Sequence, residues 1–153
     1  MKTKHLGLDS TDRQILLELR RNCRRSYREI AASVGMSPAA LIERMNRLEK
    51  GGIIAGYSAN FDYLALGFDF MAVLQISISG DILKVQEKIA KLQGVAAVYD
   101  TTGQYDSIAI VMCKSRQEFS ALVKGILGIP GVDKTNTSVV LNVMKKMSEF
   151  SQV

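Results

Sequence analysis

Apolar residues in the first third of the chain recur at helical spacing and predict amphipathic helices. Residues 9–11 are candidates for the N-cap of a helix over residues 10–22. The apolar side of this helix consists of Ile15, Leu16 and Leu19. Such a helix is stable only when neighbouring elements cover its apolar side. We therefore expect it to be one member of a small bundle.

Two more helices follow, and a tight turn joins them. Ser26 and Glu29 have the spacing of a capping box, and Gly35 can take the positive φ that ends a short helix. Ser37 caps the next helix, with Pro38 at its first position, where a missing N–H costs nothing. The buried stripe of this third helix consists of Leu41, Met45 and Leu48. Two helices separated by a turn of about three residues predict a helix-turn-helix.

The apolar run at residues 53–59 comes directly after two glycines and predicts a strand. A strand in that position would make the helix-turn-helix winged. We therefore expect a winged helix-turn-helix domain at residues 1–58, followed by a connector at residues 59–68.

A period of two begins at residue 69 and predicts a second domain over residues 69–153. Helices capped by Asp81 and Ser115 separate the strands, and Gly103-Gln104 forms a tight hairpin. The predicted strands cover residues 70–79, 95–102, 105–113 and 133–144. This β-α-β-β-α-β order is that of a ferredoxin-like split βαβ unit, so the fold class is α+β.

In that fold both helices cover one face of the sheet and the other face stays open. The residues that we expect on the open face are Met71, Val73, Ala109, Val111 and Val140. A contiguous apolar patch of this kind is normally covered by a partner. The pattern therefore predicts a homodimer with two sheets packed face to face, suited to a pseudo-palindromic DNA site.

Composition excludes several classes of protein. Of the 153 residues 47% are hydrophobic and 23% charged, so disorder is excluded, and no apolar run is long enough for a membrane span. The N-terminus lacks the apolar segment of a secretory signal, so we expect a cytoplasmic protein. Cys23, Cys113 and His5 are too few for a zinc or iron–sulfur site, and we expect no metal and no cofactor.

The net positive charge of the chain is confined to the first third. Residues 1–58 carry eleven Lys and Arg against six Asp and Glu, whereas residues 59–153 carry nine of each. This asymmetry indicates a polyanion-binding module joined to a neutral one. The alternative is a solvated, arginine-rich helix surface.

The third helix is the candidate for contact with DNA. Its exposed side should carry Ala39, Ala40, Glu43, Arg44 and Arg47. Small residues let a helix approach the floor of a groove, and arginine can reach guanine edges or phosphates. Alternatively, Arg44 and Arg47 pair with Glu43 or Glu49, which could hold for Arg47 and still leave Arg44 free.

Two polar clusters interrupt the apolar second half, at residues 100–106 in the hairpin and at residues 134–138 in the last strand. Because the first and third strands are central in this fold, both clusters lie near one end of the sheet. Glycine backbone, aspartate and threonine hydroxyls together suit a small zwitterion. Alternatively, the Thr and Asp side chains only satisfy the backbone of the hairpin.

No signature of an enzyme is present: there is no nucleophile elbow, Walker loop or dinucleotide-binding motif. An RNA-binding module of the same strand order needs aromatic residues on its central strands and a basic sheet. Here residues 107–111 read Ser-Ile-Ala-Ile-Val within a neutral half, so we do not expect RNA to be the ligand.

Several motifs lie in order along almost the whole chain. In the first third they are Leu8-Asp9-x-x-Asp12-x-x-Ile15-Leu16, Tyr27-Arg28-Glu29-Ile30-Ala31, Val34-Gly35-Met36-Ser37-Pro38 and Glu43-Arg44-Met45-x-x-Leu48-Glu49. In the second half they are Val98-Tyr99-x-x-Thr102-Gly103-x-Tyr105-Asp106 and Ile129-Pro130-Gly131-Val132, followed by Thr135-x-Thr137. Together they resemble the Lrp/AsnC family of leucine-responsive, or feast/famine, regulators.

The resemblance implies a transcriptional regulator with a winged-helix DNA module and a βαββαβ regulatory (RAM-type) module. Dimers of the family assemble further, commonly to tetramers or octamers, and many members bind an amino acid. The implied DNA contacts are Arg28, Ser37, Ala39, Ala40, Arg44 and Arg47. The implied effector contacts are Thr102, Gly103, Tyr105, Asp106, Thr135 and Thr137.

One departure concerns the first turn of the third helix. Relatives often have Ser or Thr where this chain has Ala39-Ala40, so hydroxyl donors are replaced by methyl groups. The operator preference of a relative therefore does not transfer to this chain. A DNA-binding architectural protein of the same fold that needs no effector remains the rival hypothesis.

Overall fold

The computed structural model describes residues 7–145, which fall into two compact units, residues 7–60 and residues 61–145. His5 and the part of the predicted second domain that follows residue 145 lie outside the described residues. Residues 61–68, placed in the connector by the sequence, group with the second unit and form turns in which Phe68 packs edge-on against Tyr63.

The first unit is built from helices α1 (Ser10–Arg21), α2 (Tyr27–Val34) and α3 (Pro38–Lys50). The predicted capping box of Ser26 and Glu29 is present, and Ser37 caps α3 by accepting from the amide of Ala40. Gly35 ends α2 at φ +74°. The core contains Ile15, Leu19, Leu41, Met45 and Leu48, as predicted, together with Ile30 and Ala31 of α2. The helix-turn-helix is therefore confirmed.

The predicted strand at residues 53–59 is wrong. The backbone N–H groups of Ile53 and Ile54 both donate to the carbonyl oxygen of Leu48, so the start of this segment continues the turn that ends α3. Within the described residues this segment has no neighbouring strand to pair with. A strand needs a ladder of hydrogen bonds with a partner, and an apolar run alone does not supply one.

The second unit has the predicted β-α-β-β-α-β order. Its elements are β1 (Phe70–Ile78), α4 (Ile82–Ala90), β2 (Val95–Asp100), β3 (Ser107–Cys113), α5 (Arg116–Leu127) and β4 (Val132–Val139). The four strands form one antiparallel sheet in the order β2-β3-β1-β4, with β1 and β3 central. Strand β4 ends at Val139, five residues short of the predicted end.

Both helices pack on one face of this sheet, where residues of β1 and β3 meet Val85, Ile89 and Ile126. The prediction that Ala109 and Val111 lie on the open face is wrong, because both are fully buried in this core. In the register with β1, Ala109 pairs with Leu74 and Val111 pairs with Ala72. Because Leu74 and Ala72 face the helices, Ala109 and Val111 face them too. The open face instead carries Ile108, Ile110 and Met112 beside the predicted Met71 and Val73, all of them partly exposed.

Candidate DNA-binding and effector sites

The outer face of α3 points away from the core of the first unit. Pro38 and the Ser37 hydroxyl, which caps the helix at 3.2 Å from the amide of Ala40, lie exposed at its start. The exposed residues along the helix are Ala39, Ile42, Glu43, Asn46, Arg47, Glu49 and Lys50, and Ala40 is partly exposed. The first turn therefore presents small side chains, and the exposed side chains that follow are polar or charged except for Ile42.

Arg44 and Arg47 lie on the flank of α3 that faces the first turn of α1. Arg44 Nη1 donates to Asp9 Oδ2 at 2.6 Å and to Asp12 Oδ1 at 2.7 Å, and Arg47 Nη2 donates to Asp12 Oδ2. The side chain of Asp12 is completely buried. The expected alternative partners, Glu43 and Glu49, are not the ones used. The structure thus brings both arginines together through one carboxylate rather than leaving Arg44 free.

The same contacts shift the titration of these groups. Burial alone would raise the pKa of Asp12. Hydrogen bonds from Arg44, the Asp9 amide and Arg47 have a larger effect in the opposite direction, and the pKa of Asp12 therefore lies below its ordinary value. The hydrogen bond from Arg44 is the main reason why the pKa of Asp9 is lowered. Both carboxylates are therefore charged at neutral pH and hold the guanidinium groups as ion pairs.

Three other arginines of the first unit differ in whether an acidic side chain holds them. Arg21 and Arg25 pair with Glu18, and Arg25 also donates to the carbonyl of Glu29. Arg28 lies exposed in the first turn of α2, as a contact with a DNA backbone requires.

The hairpin between β2 and β3 closes through its own backbone and side chains. The Thr101 amide donates to the Asp106 carbonyl at 3.1 Å, and the Thr101 hydroxyl donates to the Tyr105 carbonyl at 3.0 Å. Gly103 has a φ of +121°, a conformation that glycine adopts without strain. Thr102 and Gly103 are exposed at the tip.

Asp106 connects the hairpin to the central strand. Its Oδ2 accepts from the Ile78 amide at 2.8 Å, while its own amide donates to the Ile76 carbonyl at 3.0 Å. Gln86 on α4 supports the same end of the sheet, donating to Asp100 Oδ1 at 3.0 Å and to the Asp106 carbonyl at 3.4 Å. The expected alternative, in which side chains satisfy the backbone of the hairpin, therefore holds for the Thr101 hydroxyl, whereas the Asp106 carboxylate accepts from an amide of β1.

The second polar cluster lies at the same end of the sheet, as predicted. The ammonium group of Lys134 lies 5.8 Å from the centre of the Tyr105 ring. Thr135 pairs with Ile76, which also pairs with Ser107, so the three residues form one row across the sheet. Thr137 pairs with Leu74, two residues farther from the hairpin. Because Ile76 and Leu74 face the helices, Thr135 and Thr137 lie on the same side of the sheet.

Family models match both units of the chain. The AsnC-type helix-turn-helix domain matches residues 8–49, and the Lrp/AsnC ligand binding domain matches residues 71–150. This chain belongs to the Lrp/AsnC family. It is therefore a transcriptional regulator with a helix-turn-helix DNA-binding domain and a ligand-binding domain, as its motifs indicated.

Individual Lrp/AsnC relatives extend over nearly the full length. A protein described as an uncharacterized HTH-type transcriptional regulator of Pyrococcus horikoshii is 39% identical over 142 residues, 92% of this chain and 96% of its own. The structure of E. coli AsnC superimposes with a TM-score of 0.85 at 30% identity, covering 94% of this chain and 99% of AsnC. A transcriptional regulator of Neisseria meningitidis, solved as its L-Met complex, superimposes with a TM-score of 0.84 at 26% identity. The match covers 92% of this chain and 94% of that regulator.

Sequence reasoning did not place Ile42, Asn46, Glu49 and Lys50 on the exposed side of α3. Asn46 and Lys50 are exposed and follow Ala39 and Glu43 at spacings of three and four residues, so they share one stripe of the helix. That stripe lies opposite the buried residues, and helical spacing alone was enough to find it. The exposed side of α3 therefore offers amide and ammonium groups as well as arginine.

Other features of the described residues bear on ligands. A cavity of about 590 Å³ in the second unit is lined by residues such as Phe68, Gly94, Met112 and Leu122, and none of the expected effector residues lines it. Between residues 7 and 145, no cluster of three His, Cys, Asp or Glu side chains could hold a metal ion. Over the same range no helix is long and apolar enough to cross a membrane.

Proposed function

We propose that this Lrp/AsnC regulator binds double-stranded DNA sequence-specifically through α3 and that an amino acid changes its DNA affinity or its assembly. The observation that carries the DNA part is the capped, outward-facing α3 of a helix-turn-helix, in the third of the chain that holds all the excess positive charge.

The proposed DNA contacts divide by chemistry. Ser37, Ala39 and Ala40 lie at the start of α3, where small side chains allow close approach to a major groove and methyl groups can meet thymine. Arg28 is exposed on α2 and is proposed to contact phosphate. Arg44 and Arg47 are both held by Asp12, but a guanidinium group has five N–H donors, and these contacts use only part of them.

The proposed effector site lies at the hairpin end of the sheet. Asp106 is proposed to bind the ammonium group of an amino acid, and the exposed backbone of Gly103 its carboxylate. Thr102, Tyr105, Thr135 and Thr137 are proposed to complete the site. The regulator of Neisseria meningitidis that was solved as its L-Met complex supports an amino acid as the ligand class.

Assembly is part of the same proposal. The open sheet face of Met71, Val73, Ile108, Ile110 and Met112 is apolar, and a second copy of the sheet would cover it. We propose a homodimer that assembles further to a tetramer or octamer. A two-fold dimer would present two α3 helices to a pseudo-palindromic operator.

Two arginine substitutions test the DNA part. Duplexes selected from a random pool by the wild-type protein supply the specific probe, and a scrambled duplex supplies the non-specific one. Arg44→Ala should weaken binding to the selected duplex and reduce discrimination, because a base or groove contact is lost. Arg28→Ala should weaken binding to both duplexes evenly and flatten the salt slope by about one unit.

These outcomes are measured by titration at several salt concentrations. An Arg44→Ala protein with unchanged affinity for the selected duplex would refute the assignment of Arg44. An Arg28→Ala protein with an unchanged salt slope would refute a phosphate contact at that position.

A thermal-shift screen against the twenty amino acids tests the effector part. A ligand present at about 100 times its dissociation constant stabilises the folded protein by about 2.7 kcal/mol, which is readily measured. A panel without any stabilising amino acid favours the second candidate, an effector-independent architectural DNA-binding protein. The observation that keeps this candidate open is that Asp106 accepts from the Ile78 amide of β1, which gives its carboxylate a structural role without an effector.

A further inference from the structure

A buried carboxylate connects the first helix of the DNA-binding domain to the two arginines of α3. Asp12 has no exposed side-chain surface, and both of its oxygens accept from guanidinium groups, Oδ1 from Arg44 and Oδ2 from Arg47. Asp9 adds a second carboxylate to Arg44 at 2.6 Å. Since Arg44 and Arg47 are three residues apart on one flank of α3, this single side chain is in contact with both.

Asp12 is itself held rigidly. It is the third residue of α1 and forms a capping box with Asp9: its amide donates to Asp9 Oδ1 at 2.7 Å, and its Oδ2 accepts from the Asp9 amide at 3.1 Å. Its negative charge lies in the first turn of α1, where the helix dipole stabilises it. The position and charge of the carboxylate are therefore fixed before DNA is present.

This arrangement has two consequences for a DNA-binding helix. The arginine side chains lose rotamer freedom in the unbound protein, so less is lost when they dock in a groove. Two carboxylates also offset the charge of two guanidinium groups, which limits their attraction to phosphates of any sequence. Both effects favour discrimination between DNA sequences over general affinity for DNA.

We propose that Asp12 is a positioning residue for DNA recognition: by holding Arg44 and Arg47 in fixed directions, it sets how strongly α3 discriminates between sequences. The inference rests on the proposed role of α3 in DNA binding. Asp9 is half-exposed and contacts Arg44 but not Arg47, so it also increases discrimination between sequences, by a smaller amount than Asp12.

The test compares Asp12→Asn with the wild type on the selected and scrambled duplexes described above, by fluorescence anisotropy across a range of KCl concentrations. Asparagine keeps the shape and one acceptor oxygen but loses the charge. The ratio of specific to non-specific affinity should fall about tenfold, the cost of a misplaced base contact. Binding to the scrambled duplex should persist, and the salt slope should steepen by about one unit, because the released arginine charges reach phosphates.

Glu18→Gln is the matched control. It removes a poorly exposed carboxylate from the same helix, one that pairs with Arg21 and Arg25 rather than with α3. This variant should keep the wild-type affinity ratio. A fall in the ratio as large as that of Asp12→Asn would overturn the inference, because the effect would then come from net charge alone.

Other results separate the inference from the function on which it rests. If Asp12→Asn keeps the wild-type ratio and slope, or loses both affinities equally, the inference is wrong and the proposed DNA binding stands. If Asp12→Asn does not fold, Asp9→Asn decides, because asparagine preserves the N-cap: a lowered ratio supports the inference and an unchanged ratio overturns it. A wild-type protein that binds both duplexes equally contradicts the proposed function, and the inference falls with it.

Discussion

Gly131 shows how a single residue determines the packing of the ligand-binding domain. It has a φ of +100°, and a Cβ placed there would lie 2.9 Å from Val85 Cγ2 and 3.0 Å from the Ser79 carbonyl oxygen. Its own carbonyl oxygen accepts from the Ser79 amide at 2.8 Å. The start of β4 can therefore approach α4 and the end of β1 only because this position has no side chain.

Replacing Gly131 with alanine should lower the free energy of unfolding by about 1–3 kcal/mol, from backbone strain and the contact with the Ser79 carbonyl. Gly125→Ala is the matched control, since a Cβ on Gly125, in the last turn of α5, meets no neighbouring atom within 4 Å. It should raise stability by about 0.5–1 kcal/mol through helix propensity. Denaturant unfolding measures both, and a neutral Gly131→Ala protein would contradict this account of the turn.

At the residue scale, local chemistry could be predicted and long-range pairing could not. The capping roles of Ser26 and Ser37 follow from neighbours three residues away, so the sequence contains the whole interaction. The partners of Arg44 and Arg47 lie more than thirty residues away, at Asp9 and Asp12. Only the packing of α3 against α1 reveals them.

At the element scale, the sequence of β3 does not show which of its two sides faces the helices. Ile108, Ile110 and Met112 on one parity are as apolar as Ala109 and Val111 on the other, so alternation does not show which set faces the helices. The register with β1 decides it. The order of the elements, in contrast, follows from caps and periodicity and was predicted from sequence.

The hairpin between β2 and β3 offers a test of the proposed effector site that leaves the fold in place. Asp106→Asn keeps an oxygen to accept from the Ile78 amide but removes the charge proposed to bind an ammonium group. We expect this variant to lose the thermal shift caused by the stabilising amino acid and to keep its own melting temperature within a few degrees.

Asp100→Asn is the control for that variant. It removes a carboxylate from the same hairpin, where Gln86 is the donor to Asp100 Oδ1, and it is not among the proposed effector contacts. Its thermal shift should remain. Calorimetric binding of the amino acid by Asp106→Asn with wild-type affinity would rule out the proposed site.

At the scale of the whole molecule, we propose that the apolar open face of the sheet determines assembly. Ile110→Glu places a charge at the centre of that face, where a partner sheet would have to bury it. We expect this variant to sediment as a monomer with unchanged helical content. Leu83→Glu, at a position 65% exposed on α4, should keep the wild-type assembly. An Ile110→Glu protein that assembles like the wild type would contradict the face-to-face dimer.

The most direct test of the central claim is the affinity of the intact protein for its selected duplex, measured with and without each of the twenty amino acids. We predict that at least one of them changes the dissociation constant roughly 5- to 150-fold, the usual range of coupling between two sites. The same amino acid should raise the melting temperature of the protein alone. If none of the twenty changes either quantity, the protein is not an amino-acid-responsive regulator, and the effector-independent candidate takes its place.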